Sequence, residues 1–272
     1  MTADQPGRLR LTVLGCSSAA PHAAWPASGY LVEWQDTSLL LDVGQGVVRR
    51  LENLMDPRRV TAVIVGHMHA DHYLDLAGLR YLFPWAEQAE PRLPVHVPPG
   101  ARERLDALAA AISERSGFFD VSFDIAEFDP EVPLQVGPLT IRFMRSRHYV
   151  PAWGLSVEAP DGARLVYTGD TGPSDAMIEF ARGADLLLVE AALRRASEDD
   201  PARGHLTGEE AIDLAHRAEA RSALVVHYDP ARRAELGAMC DAAGPWIRPA
   251  VASLTRTVTP LRRDAGSQAP AT

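Results

Sequence analysis

The sequence predicts an α/β fold, and three observations carry that prediction. Strand-like and helix-like segments alternate, irregularly, along most of the chain. The apolar run Thr61-Ala62-Val63-Ile64-Val65 reads as a buried strand. A polar segment dense in histidine follows it directly, and loops leaving strand ends are where α/β folds commonly place their sites.

In chain order, residues 11–14, 29–33, 38–42 and 62–65 are predicted strands, with helices over 46–54 and 74–83. Leu93–Val97 is a short strand, after which Pro98-Pro99-Gly100 opens a helix running to about Ile112. Residues 121–128, 139–144, 155–158 and 165–167 supply a second run of strands, and 186–189 and 223–226 read as buried ones. A helix over 207–218 lies between the last two, started by Thr207 and Glu210, which have the spacing of a capping box. No internal repeat is apparent.

Composition fits a soluble enzyme. The formal net charge of −9 repels polyanions at long range and argues against a broad nucleic-acid surface. Cys16 and Cys240 are too few for a disulfide framework, so a reducing, cytoplasmic setting is expected. The first ten residues are polar, without the apolar core of a signal peptide. No apolar run approaches the ~20 residues that span a bilayer, so no membrane partner is expected.

The most informative stretch is His67-Met68-His69-Ala70-Asp71-His72. Imidazole nitrogen and carboxylate oxygen both ligate zinc and its first-row neighbours. Three of the chain's nine histidines fall in this one turn, which a merely polar surface loop would not require.

This His-x-His-x-Asp-His segment after an apolar strand resembles the signature of the metallo-β-lactamase superfamily. The resemblance implies further ligands in the order His, Asp, His, and the sequence offers them. His148 stands in Ser146-Arg147-His148-Tyr149-Val150-Pro151-Ala152-Trp153-Gly154, Asp170 in Tyr167-Thr168-Gly169-Asp170-Thr171, and His227 in Val225-Val226-His227-Tyr228-Asp229-Pro230. Leu14-Gly15-Cys16-Ser17-Ser18 and Leu39-Leu40-Leu41-Asp42-Val43-Gly44 are similar to two further family segments, and the residue matching Asp42 steadies the metal loop by hydrogen bonds. The implied fold is a four-layer αββα sandwich. Because the ligands come from both halves, one domain over residues 1–263 is expected, with 264–272, rich in Gly, Ser, Ala and Pro, as a disordered tail.

The contexts of His148 and Asp170, together with Glu190-Ala191 and Gly204-His205-Leu206-Thr207-Gly208, point to the phosphodiesterase branch that includes ribonuclease Z and the cyclic-nucleotide phosphodiesterases. What the resemblance implies is two divalent ions, zinc by first choice, with manganese or iron as alternatives. His67, His69 and His148 would hold one, Asp71, His72 and His227 the other, and Asp170 would bridge them. Asp71 would also aim the attacking water, and His205, oriented by Glu190, would protonate the leaving oxygen. Asp170 stands where two-metal zinc β-lactamases usually carry Cys, which argues against antibiotic hydrolysis. His22, His96 and His216 are assigned surface or packing roles, Trp153 a core role. Arg145 and Arg147 are either phosphate contacts or solvated charges.

Ribonuclease Z proteins typically insert a tRNA-gripping arm between the positions matching His148 and Asp170. Here Asp170 follows His148 by 22 residues, which two strands and an Asp161-Gly162 turn fill. A small phosphodiester such as a cyclic nucleotide is therefore the expected substrate. Cleavage of tRNA 3′ ends, with a homodimer building the RNA surface across two chains, is the first alternative; a thioester or lactone is the second.

Overall fold

The computed structural model describes residues 7–83, 91–114 and 116–260; the expected tail at 264–272 lies outside them. Among the described residues fourteen strands form two seven-stranded sheets. The first contains β1 (Leu9–Gly15), β2 (Gly29–Trp34), β3 (Thr37–Leu41), β4 (Ala62–Ile64), β5 (Leu93–Val97), β6 (Phe123–Glu127) and, from the far end of the described chain, β14 (Thr255–Val258). The second contains β7 (Leu134–Val136), β8 (Leu139–Arg145), β9 (Trp153–Glu158), β10 (Arg164–Tyr167), β11 (Leu186–Glu190), β12 (Ala223–Val226) and β13 (Ile247–Pro249). Their orders are β14-β1-β2-β3-β4-β5-β6 and β13-β12-β11-β10-β9-β8-β7.

The two sheets share one plan. In each, antiparallel pairs occupy one side, and a parallel run, β3-β4-β5-β6 or β10-β11-β12-β13, occupies the other. Parallel neighbours need crossover connections, and helices supply most of them. These are α1 (Val47–Glu52), α2 (Ala70–Tyr73), α3 (Leu76–Leu79), α4 (Ala101–Ile112), α5 (Asp175–Ala181), α6 (Gly208–Arg217) and α7 (Arg233–Ala243).

Side-chain alternation along the strands builds the layers. Leu39 and Leu41 of β3, Tyr30 and Val32 of β2, Leu186 and Leu188 of β11, and Leu224 and Val226 of β12 enter one core between the sheets. The intervening Leu40 and Leu31 pack outward with Val47, Leu51 and Leu105 of α1 and α4. Leu187, Val189 and Val225 pack outward with Ile178, Leu214 and Leu236 of α5, α6 and α7. Strands apolar on both faces thus read as continuous runs rather than alternating ones. The expected four-layer sandwich is the observed architecture.

Several expectations are corrected in detail. The helix over 74–83 is broken: the Asp75 N–H donates to the Val43 carbonyl, and its carboxylate accepts from the Val48 N–H, so this residue serves α1 and the end of β3 instead of a continuous helix. The helix over 46–54 is shorter, because Gly46 is left-handed at φ 86° and begins it. Asp42 lies just outside its strand, with φ 57°. The short or weakly patterned β7, β13, β14, α5 and α7 escaped the sequence reading, although Ser174, whose side chain accepts from the Met177 N–H, was an available start signal for α5. The Thr207–Glu210 capping box is present as expected. Cys16 and Cys240 are buried free thiols. No helix of the described residues is long and apolar enough to cross a membrane.

Two glycines make a test of the packing around α2. A Cβ on Gly44 would overlap the Asp71 carbonyl oxygen and stand 2.8 Å from Ala27 Cβ, whereas one on Gly78, in α3, meets nothing within 4 Å. Gly44→Ala should destabilise by about 1–3 kcal/mol, as overpacking does, and Gly78→Ala should stabilise by about 0.4–1 kcal/mol through the unfolded chain. Denaturant midpoints of the two variants check this, and equal midpoints would refute it.

Candidate metal centre

The candidate side chains gather at the carboxyl ends of strands from both sheets. Asp42 follows β3, His67 and His69 lie in the turn after β4, and Asp71 and His72 sit in α2. His148 lies between β8 and β9, Asp170 follows β10, Glu190 ends β11, His205 precedes α6, and His227 follows β12. Tight left-handed turns end three of these strands: Asp42, Gly169 and His227 have φ of 57°, 58° and 49°. Such a conformation is uncommon for Asp or His and is held against its cost by surrounding contacts.

Besides an overlapping group of Asp170, His205 and His227, two clusters result among the described residues: His67, His69, His148 and Asp170 form one, and Asp71, His72 and His227 the other, the ligand atoms within each group lying within 4.8 Å of one another. Asp170 stands between them. Its Oδ2 is 3.6 Å from His67 Nε2 and 3.2 Å from His227 Nε2, and its Oδ1 is 3.3 Å from His72 Nε2. Asp71 Oδ2 lies 3.6 Å from His72 Nε2 and 3.8 Å from His227 Nε2.

Hydrogen bonds behind the clusters aim the rings. His72 Nδ1–H donates to Asp42 Oδ2 at 2.8 Å, and His148 Nδ1–H donates to the Gly204 carbonyl at 2.8 Å. His227 Nδ1 is 3.0 Å from Ser28 Oγ. Partners of this kind settle which ring nitrogen remains for a ligand. His148 Nε2 accordingly points inward, 3.0 Å from His69 Nδ1.

The donor set fits divalent metal. His67 Nε2, His72 Nε2 and Asp170 Oδ1 are buried without a hydrogen-bond partner. Native structures rarely leave such groups unpaired, since each costs about 1–3 kcal/mol. Imidazoles and carboxylates without thiolate suit zinc, manganese or iron. Electrostatics agree. Burial opposes charge on Asp170, but His227, His72 and His67 hold its carboxyl well below the usual carboxylate range. Burial pushes His67 well below the ordinary histidine value and lowers His69 and His148 too, favouring the neutral, ligating form. His72 goes the other way: burial resists its charge, yet Asp170 and Asp42 hold it well above the ordinary value.

A second pair flanks the clusters. His205 Nδ1–H donates to Glu190 Oε1 at 2.8 Å, with the same nitrogen 3.9 Å from Asp170 Oδ2. Burial disfavours charge on His205, but the Glu190 hydrogen bond and charge raise its pKa to about 9. Glu190 is fully buried and also accepts from the backbone N–H groups of Thr171, Ala192 and Leu206.

Asp199 is a residue the sequence reading missed. Its carboxylate accepts from the Gly204 and His205 N–H groups at 2.9 and 3.2 Å, shaping the loop that carries His205. An Asp five residues before a Gly-His turn was its only signal. Asp42 was anticipated: besides His72 it accepts from the Gly66 N–H at 2.8 Å and the Tyr167 hydroxyl at 2.9 Å.

Other candidates fall outside. Trp153 is buried in the core, with the Arg145 guanidinium 4.6 Å above its ring. Arg147 is spent on the carbonyls of Ala202 and Pro173. His22 packs edge-on to Trp25, His96 lies half-buried on β5, and His216 stands beside Trp246.

Comparison with known proteins places this architecture. The Beta-lactamase superfamily domain matches residues 37–228. An uncharacterised protein of Mycobacterium leprae is 40% identical over 228 residues, 82% of this chain and 78% of that protein. A ribonuclease Z of Natronomonas pharaonis is 30% identical over 267 residues, 80% of this chain and 86% of that enzyme. YhfI of Bacillus subtilis, named a probable metallo-hydrolase, is 30% identical over 223 residues, 80% of this chain and 86% of YhfI. Its crystal structure, that of a metallo-beta-lactamase fold protein, matches with a TM-score of 0.79 at 26% identity, covering 92% of this chain and 99% of that one. The chain belongs to the metallo-β-lactamase superfamily, a family of metal-dependent hydrolases.

Proposed function

We propose that this protein is a dinuclear-metal phosphodiesterase acting on a small substrate, with cyclic nucleotides the leading class. The observation that carries the reading is the position of Asp170 between two adjacent clusters, close to His67 of one and to His72 and His227 of the other, with the Glu190–His205 pair beside it. His67, His69 and His148 would hold one ion, Asp71, His72 and His227 the other, and Asp170 would bridge. When bound, such ions lower the pKa of an attacking water and stabilise charge on phosphoryl oxygens; zinc suits the donors best.

The chain's own groups do the rest. Asp71 would accept a hydrogen bond from the attacking water and aim it. Nδ1–H of His205 is committed to Glu190, so Nε2 is the atom that gives its proton to the departing alkoxide. Glu190 keeps that proton on the ring by hydrogen bond and charge.

Support for a small substrate comes from the segment between His148 and Asp170, which β9, β10 and the turn between them occupy without an inserted arm. A net charge of −9 also disfavours a polyanion. The ribonuclease Z reading is favoured by identity to several ribonuclease Z proteins, 30% for the Natronomonas enzyme, and a homodimer could assemble an RNA surface across two chains.

Three outcomes test this. Metal analysis of protein purified without chelator should give close to two equivalents per chain, and Asp170→Ala should lose at least one of them with nearly all activity; full occupancy in that variant would remove the bridging role.

His205→Ala should keep its metal while turnover of an alkyl-leaving phosphodiester falls roughly 10²–10⁴-fold, the range of general acid catalysis. A p-nitrophenyl ester, whose leaving group needs little protonation, should lose less. Because the acid must be protonated, activity falls as pH rises through the His205 pKa; Glu190→Gln removes the charge that raises it and should move the basic limb of the pH–rate profile to lower pH. An unmoved limb, or equal losses on both substrates, counts against the pair.

Finally, specificity constants for cyclic AMP and pre-tRNA, measured on one preparation, should favour the cyclic nucleotide. Efficient 3′-end cleavage of pre-tRNA with cyclic nucleotides left intact would replace this reading by the ribonuclease Z one.

A further inference from the structure

One large exposed ring stands at the rim of the metal centre. Tyr149, directly after His148, is 46% exposed. Its ring centroid lies 5.1 Å from that of His148 and 5.8 Å from that of His205, at an interplanar angle of 64°. On another side the ring rests on the backbone of Gly204, where an added Cβ would come within 2.8 Å of Tyr149 Cε1 and closer still to other ring atoms.

That support is itself fixed. The Gly204 N–H donates to Asp199, and the Gly204 carbonyl accepts from His148. Glycine at 204 is what lets the ring lie so close to the loop. The ring is therefore held by its neighbours while the residue as a whole stays nearly half exposed. Among the described residues the other exposed large hydrophobic side chains are Leu54, Tyr81, Ile112 and Val132, and none has a ring contact with the metal-centre histidines. Tyr81, the other aromatic, packs on Phe118 and Arg80 instead. Trp153, the other aromatic near His148 in sequence, is committed to the core.

Position gives this ring a use. If His205 protonates the departing oxygen, the body of the leaving group must extend past His205, and Tyr149 is the ring beside it. An open, immobilised aromatic face adjoining a phosphoester site suits a planar partner, since base–aromatic stacking tolerates any base with a π-face. We propose that Tyr149 is a specificity-determining residue: the platform on which the planar part of a substrate stacks, selecting nucleoside-bearing phosphoesters over base-free ones. The direction of the leaving group rests on the phosphodiesterase reading above.

Calorimetric binding of adenosine 5′-monophosphate and ribose 5-phosphate to the purified protein tests this, in parallel with hydrolysis of cyclic AMP. The native protein should bind the nucleotide about 10-fold more tightly, a factor within the reach of one stacking contact. Tyr149→Ala should erase that preference, while Tyr149→Phe, which keeps the ring and loses the hydroxyl, should retain it. A native protein that binds the two equally, or neither, overturns the platform, as does a preference that survives in Tyr149→Ala. The two readings fail separately: a base preference without hydrolysis of cyclic AMP removes the phosphodiesterase, and hydrolysis without a base preference removes the platform.

Discussion

The buried carboxylate of Asp42 is the interaction on which the rest of the site depends. It is 1% exposed and takes hydrogen bonds from three directions: the Gly66 N–H at the start of the histidine turn, the His72 ring in α2, and the Tyr167 hydroxyl of the opposite sheet. Any one of these donors left unpaired in the interior would cost about 1–3 kcal/mol. A single side chain thereby ties together the histidine turn, the His72 ring and a strand of the opposite sheet at the rim. Tyr30 and Tyr167, whose centroids are 4.9 Å apart, close the core beneath it.

The duplicated sheet plan explains why so many polar groups can meet there. Parallel strands end on the same edge, so β3 and β4 from one sheet and β10, β11 and β12 from the other all deliver their carboxyl ends to one rim. Ligands in open α/β sheets sit at such ends; here two sheets contribute. Left-handed turns at Asp42, Gly169 and His227 swing the chain at the strand ends. Their strain is tolerable because hydrogen bonds to Asp42 and His227 hold both side chains in place.

Rigidity continues around the Glu190–His205 pair. Glu190 is anchored by three backbone N–H groups before it meets His205. The loop that carries His205 is pinned by Asp199, by the Arg203–Glu210 ion pair and by a strand-like bridge between Leu193 and Thr207. The same Glu210 completes the capping box of α6, so the start of one helix and the placement of His205 are coupled through one carboxylate.

What the sequence by itself determined was chemistry and order. Apolar runs long enough to be buried on both faces identified the central strands, because periodicity is local. The histidine turn stood out for the same reason: four metal-capable side chains of two types fall within six residues. His148, Asp170 and His227 became candidates only by resemblance, since nothing local separates a candidate ligand from an ordinary strand-end polar residue. The tertiary structure alone decided what depends on distant partners. Asp75 broke an expected helix because its N–H and carboxylate have partners near β3 and α1, 32 residues and 27 residues away. Edge strands β7, β13 and β14 are too short to carry a pattern and exist through pairing with their neighbours. Nothing local singles out Asp199 or Tyr149; the fold sets one under the His205 backbone and the other against Gly204. Local sequence can state what a side chain is able to do; which groups surround it is fixed by contacts between segments far apart in the chain.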